Sequence, residues 1–424
     1  MLNREGKMKP VVMYIDPGTG SMLFSLAIAI ATTLVFGLRR LAVKLSFAIS
    51  AGKTEKKITK KKPYVVYCEN KRYWNVFKSI CDEFENREID VEYYTQSEDD
   101  PVFEEKYQFV KPTFIGEGNK GIAKLNFLSA NIVLSTTPGL DVLQWKRSKD
   151  VDKYIHIPHG MGSMAGYRMF ALDHYDAVLT NCENQNRVQR ELEKVRKLPA
   201  KDLVLVGCTY LDEASKKVSK MEDYKGVDYN NITVVLAPTW GPSGLLARYE
   251  DKLIKALVDT GFNIIVRPHP QSYTSDKDLI SRLEKEFEGV ENLEWNQDDN
   301  NLEVLNRADI MITDFSGVVY DFAFLMNRPV IMTDDEVDTL IYDYDWLDKS
   351  VWHYKELDDL GDWFDESYLN DMKGRIVSIL NSDERQEARQ TAKKSLWVHQ
   401  GEAAARVVDY MIDSFYKISE ETHI

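Results

Sequence analysis

Residues 308–330, Ala-Asp-Ile-Met-Ile-Thr-Asp-Phe-Ser-Gly-Val-Val-Tyr-Asp-Phe-Ala-Phe-Leu-Met-Asn-Arg-Pro-Val, restrict the fold more than any other stretch. Residues 310–313 are almost wholly apolar, which predicts a strand buried on both faces of a parallel sheet. The polar turn at 314–317 follows at once, and Asp314 or Ser316 can cap a helix whose Val318, Phe322 and Leu325 share one face. Asn327, Arg328 and Pro329 end that helix, and residues 330–332 begin another strand. A strand, a tight turn and a helix start gather backbone N–H groups and the positive end of a helix dipole at one point, where a phosphate is favoured.

The same pattern recurs along the chain. Residues 64–67, 89–94, 131–135 and 154–158 read as strands, and residues 73–84 as an amphipathic helix. Residues 233–240 and 263–266 read as strands on either side of a helix over 245–258. Such alternation predicts an α/β fold with parallel sheets covered by helices. The polar stretch 213–230 suits a linker. The expected division is an appendage over 1–62, an α/β half over 63–225 and a second over 226–424, its terminal helix crossing back to the first half.

Three turns after strands carry chemistry. Pro158-His159-Gly160-Met-Gly162-Ser163-Met-Ala-Gly166 combines an imidazole, which titrates near neutrality, with glycines that let a ligand approach the backbone. His156 and His174 read as structural instead. Thr239 and the Gly-Pro-Ser-Gly that ends at Gly244 form a second turn, suited to a phosphate or sugar edge. Arg267-Pro-His269-Pro is the third, with prolines that fix the direction of the imidazole. Arg267 equally suits a structural ion pair. In a parallel sheet the turns at 239–244, 267–269 and 314–317 lie along one edge, which points to an activated phosphate ester as guest.

Charge is unevenly distributed. Residues 1–62 hold twelve Lys and Arg against Glu5, Asp16 and Glu55, a balance of +9, so with −14 overall the remainder carries −23. Such an acidic body repels a nucleic-acid backbone. Residues 17–38 contain no charge, long enough to span a bilayer, and Arg39, Arg40, Lys44 and a lysine-rich tether follow. The expectation is a single N-terminal transmembrane helix with the catalytic body on the cytoplasmic face of the cell membrane. Cys68, Cys81, Cys182 and Cys208 are widely spaced and read as free buried thiols. No acidic cluster has metal-ligand spacing, so neither a metal nor another cofactor is expected.

Taken together, Pro-His159-Gly160, Ala-Pro-Thr-Trp240, Arg267-Pro-His269-Pro and Thr313-Asp-Phe-Ser316 resemble, in order and spacing, the CDP-glycerol glycerophosphotransferases of teichoic-acid synthesis. The resemblance covers roughly residues 64–415. It implies a GT-B architecture of two doubly wound Rossmann-like domains. It also implies transfer of glycerophosphate from CDP-glycerol, or a related CDP-polyol, to a hydroxyl of a lipid-linked acceptor with release of CMP. By the same likeness His159 is the base and His269 acts with Arg267 on the pyrophosphate. Asp314, Ser316 and the Gly317 N–H orient and hold those phosphates, with Thr239 beside them. Gly160, Gly162 and Ser163 fall on the acceptor side of the cleft. Two departures stand out: Met161-Gly162 replaces the usual Thr-Pro, and Gly317 replaces a second Ser. The alternatives are a membrane-anchored GT-B glycosyltransferase of capsule synthesis and a catalytically silent membrane scaffold.

Overall fold

The computed structural model describes residues 61–298, 301–333 and 340–422. The expected membrane span over 17–38 lies outside the described residues; among those described, no helix is long and apolar enough to cross a membrane.

The apolar runs become strands because each can be buried on both faces only inside a parallel sheet. The first sheet contains β1 (Lys62–Cys68), β2 (Val91–Thr95), β3 (Val110–Phe114), β4 (Ala130–Ser135), β5 (Val151–His156), β6 (Ala177–Thr180) and β7 (Asp202–Leu205). The second contains β8 (Thr233–Ala237), β9 (Asn263–Val266), β10 (Leu293–Trp295), β11 (Ile310–Thr313), β12 (Val330–Thr333) and β13 (Asp362–Phe364). Strand order is β3-β2-β1-β4-β5-β6-β7 in one sheet and β10-β9-β8-β11-β12-β13 in the other. The pairings are parallel, for example Val65 beside Val133 and Ile312 beside Leu236. In each sheet the chain reverses its direction of travel next to the first strand, between β1 and β4 and between β8 and β11. Those switch points open crevices at the carboxyl ends of the strands, where doubly wound folds bind ligands.

Three apolar clusters hold the layers. One packs Val66, Ile132 and Leu134 against Phe77, Ile80 and Phe84, and includes Val407, Val408 and Met411 of the terminal helix Ala403–Thr422. Burial of those last three side chains is worth on the order of 5 kcal/mol, enough to keep the helix docked on the first half. A second cluster sets Val234, Leu236 and Ile312 against Leu253, Ile254 and Leu257. The third runs without a break from Val65, Val133 and Tyr154 to Met311, Phe322 and Phe324, so the two halves share a core. All four cysteines are buried and free.

Several elements differ from the sequence reading. β1 begins at Lys62, inside the expected tether. Residues 213–218 belong to the helix Thr209–Val218 rather than to a linker. That helix is held because Asp212 accepts hydrogen bonds from Trp397 Nε1 (2.9 Å), Gly401 N (2.9 Å) and Ala403 N (3.2 Å) at the start of the terminal helix. The helix after β11 is α-helical over Val318–Asp321 and widens to a π-turn over Phe322–Met326.

After β12 the chain reaches across to the first half. Met169 N donates to Ile341 O at 3.2 Å, Asp343 N to Tyr167 O at 2.9 Å, and Asn184 Nδ2 to Glu356 at 2.9 Å. Arg196 pairs with Asp173 at 2.6 Å and also with Asp343. The guanidinium lies against the paired rings of Phe170 and Trp346, 5.1 and 5.2 Å from their centroids. We call residues 340–357 the clasp.

Candidate active site

After β8 the chain turns through Thr239 and Gly244 into the helix Leu245–Val258, which breaks once at Glu250 (φ 47°). Gly244 is required there, since a Cβ would meet the Thr239 carbonyl oxygen at 2.5 Å. Gly241, at φ +87°, donates its N–H to Asp276 at 2.9 Å.

Asp314 is the first residue after β11 and is 2% exposed. It caps no helix of its own. Its two oxygens each accept from Thr239 N at 2.9 Å, and further from Leu245 N (3.1 Å) and Ser316 N (3.2 Å). β8 and β11 are neighbours, so the N–H groups of both following turns converge on this one carboxylate. Burial pushes its pKa up to about 6, against the pull of those backbone donors. Asp314 therefore fixes the walls of the crevice. Ser316 is half-buried beside it and Gly317 is exposed, with no atom within 4 Å of where a Cβ would stand.

β9 delivers Arg267 and His269. Arg267 hydrogen-bonds the Asn296 side chain and donates to the Asp298 carbonyl at 2.7 Å. His269 Nδ1 accepts from Gln271 N at 3.1 Å. That bond places the proton of the neutral ring on Nε2, leaving Nε2–H as the donor available to a ligand. Burial lowers the His269 pKa, and the Arg72 charge lowers it further. Because the order is β10-β9-β8-β11, the three turns expected on one edge follow three adjacent strands.

The first half supplies His159 just after β5. Its ring lies 5.4 Å from that of Tyr73 and 6.4 Å from that of Tyr167. The ring is reached by solvent, yet the cleft walls withhold enough water to lower its pKa, and the charges of Arg72 and then His269 add to the effect. The two imidazoles thus feel one another across the cleft. The Gly-rich turn is anchored from behind, with Gly160 O accepting from Asn181 Nδ2 (2.8 Å) and Gly162 O from Gln185 Nε2 (2.9 Å). His156 is fully buried against Tyr167 and Tyr175, its Nε2 3.1 Å from the Tyr167 hydroxyl, and packs rather than reacts. His174 is exposed away from these contacts.

Two cavities flank these groups. One of about 120 Å³ brings Gly162 and Ser163 together with Asp314, Phe315 and Gly317 under Tyr320, Tyr344, Trp352 and Tyr354. The other, of about 860 Å³, lies between Arg267 and the segment after β1. That segment carries Arg72, which the sequence reading passed over. The signal was a lone arginine after the opening strand, and its meaning depends on the β1/β4 switch point, which only the strand order reveals. Among the described residues no three His, Cys, Asp or Glu side chains are grouped to hold a metal ion.

Two parallel sheets of switch-point order, with a histidine-bearing turn from each half and a crevice braced by Asp314, define a two-domain α/β protein of the kind that binds ligands at the carboxyl ends of its strands. Solved structures share this architecture. The wall teichoic acid polymerase TagF, soaked with CDPG, is similar at TM-score 0.54 and 14% identity, over 85% of this chain and 90% of that one. A UDP complex of S. aureus MnaA follows at TM-score 0.52 and 12% identity, over 83% and 96%. A UDP-N-acetylglucosamine 2-epimerase from Listeria monocytogenes is similar at TM-score 0.51 and 13% identity, over 84% and 97%. Comparison with curated proteins gives no match. The model of the CDP-glycerol:poly(glycerophosphate) glycerophosphotransferase family matches residues 55–412, and the chain belongs to that family. It is a CDP-glycerol glycerophosphotransferase-like enzyme.

Proposed function

We propose that the protein transfers glycerophosphate from CDP-glycerol to a hydroxyl of a lipid-linked acceptor, releasing CMP, in synthesis of a teichoic-acid-like surface polymer. The observation that carries this reading is the cavity in which Gly162 and Ser163, from the His159 turn of one half, meet Asp314, Phe315 and Gly317 of the other; His269, after β9, keeps its Nε2–H free for a ligand. The acceptor oxygen attacks the phosphorus that bears glycerol, the bond from that phosphorus to the CMP oxygen breaks, and the acceptor proton passes to His159. Charge gathers on the phosphate oxygens, where His269, Arg267, the Ser316 hydroxyl and the Gly317 N–H supply donors without a covalent intermediate. Asp314 contributes by holding the Thr239 and Ser316 turns in place. Phe315, 43% exposed on the rim, offers a ring face to the nucleobase. The uncharged stretch 17–38 and the basic residues after it would keep the enzyme on the cytoplasmic membrane face, next to a lipid-linked acceptor.

Purified full-length protein with a lipid-linked acceptor should release CMP from CDP-glycerol or CDP-ribitol and no nucleotide from UDP-sugars. Release from a UDP-sugar would make the glycosyltransferase the better reading, and donor binding without turnover the scaffold. The pH dependence has a definite sign. Burial and the Arg72 charge disfavour the imidazolium, so the base stays neutral below its ordinary value of 6.5. The acid limb of kcat/KM should accordingly lie below pH 6.5, with a flat profile from there to about pH 7.5. A limb above pH 7 would remove His159 from the role of base.

A further inference from the structure

The cavity of about 860 Å³ is lined by five cations, Lys71, Arg72, Lys78, Lys217 and Arg267, against Asp99 and Asp298. In a chain of net charge −14 this local excess of positive charge is opposite to that of the whole body. The cations are not equivalent. Lys71 pairs with Asp99, and Lys78 with Asp82 at 2.9 Å. Arg72 bonds only the neutral Asn70, its Nε 3.3 Å from Asn70 Oδ1, and Lys217 bonds the neutral Asn75 at 2.6 Å. Among the described residues neither has a carboxylate within ion-pair distance. Both are exposed.

Arg72 also stands close to the proposed base. It follows β1 at the switch point of the first sheet, and its guanidinium carbon lies 5.8 Å from the centroid of Tyr73, whose ring packs on His159. It lines this cavity and a second of about 880 Å³ that continues along the first half past Gln96 and Gly118. The donor is held by turns of the second half, so an anion-binding arginine on the first half, beside the base, faces the other substrate.

We propose that Arg72 binds the phosphodiester next to the attacking hydroxyl of the acceptor, with Lys217 placed to meet a phosphate further along the same polyanionic chain. This inference rests on the transferase reading above and narrows it to acceptors that already carry polyol phosphate. A guanidinium presents a planar fork to phosphate, whereas an ammonium is a point charge, so Arg72 fixes position and Lys217 adds attraction.

The test is binding of a short glycerol-phosphate oligomer to the full chain, followed by calorimetry without donor. Arg72→Gln should weaken oligomer affinity about tenfold and Lys217→Gln severalfold, with Arg72→Lys in between, and raised salt should reduce these differences. CDP-glycerol affinity should stay within about twofold in all three variants. Oligomer affinity unchanged in Arg72→Gln, or an equal loss of CDP-glycerol affinity, overturns the inference. CMP release by the unmodified protein is scored separately. Its absence alongside Arg72-dependent oligomer binding would sink the donor assignment and leave the acceptor site standing, while turnover with Arg72-independent binding would do the reverse.

Discussion

Replacing His159 by Ala should lower the rate of CMP release about 10²- to 10⁴-fold, the usual worth of a positioned general base, while leaving CDP-glycerol affinity largely intact. The proposed donor contacts lie on the turns after β8, β9 and β11. The His159 ring rests on Tyr73 and Tyr167. Its loss removes an acceptor for the proton without disturbing the loops that Asp314 braces. Added imidazole should restore part of the rate in the vacated space. Equal losses in rate and donor affinity would instead make His159 a donor-binding residue.

Asp314→Ala should act in the opposite way. Three backbone N–H groups, those of Thr239, Leu245 and Ser316, share one buried carboxylate. An unsatisfied buried donor costs about 1–3 kcal/mol, and partial rewetting of the turns keeps the total near the middle of that range for the set. We expect thermal unfolding to shift by a few degrees, since a stability loss of about 2 kcal/mol moves a large domain only that far. Affinity for CDP-glycerol should fall at least about a hundredfold, because both walls of the phosphate crevice lose their common anchor. Asp314→Asn should recover little, as its amide N–H₂ would point a donor at a donor. A variant that unfolds normally and binds CDP-glycerol as before would show that the crevice does not need this brace.

How much of this was legible in the sequence follows from how local each cause is. The apolar run of β11 and the helix over 245–258 were readable because both are written in consecutive residues. β3 was not, since Val-Lys-Pro-Thr-Phe carries a proline and exposed polar side chains, as an edge strand does. The three phosphate-side turns could be placed on one edge once a parallel sheet was assumed, and β9, β8 and β11 are indeed adjacent. The task of Asp314 could not be seen, because its partners at Thr239 and Leu245 come together only through the pairing of β8 with β11. Arg72 escaped because its position after β1 gains meaning only from the pairing of β1 with β4, which marks the switch point of the first sheet.

The clasp has a consequence for traffic through the cleft. On its side, Arg196 and Asp343 are 4% and 1% exposed, so prising the halves apart there would strand charges in a dry seam. A motion that spares those charges keeps this seam shut, so any exchange of nucleotide would leave the halves joined through Arg196 and Asp343.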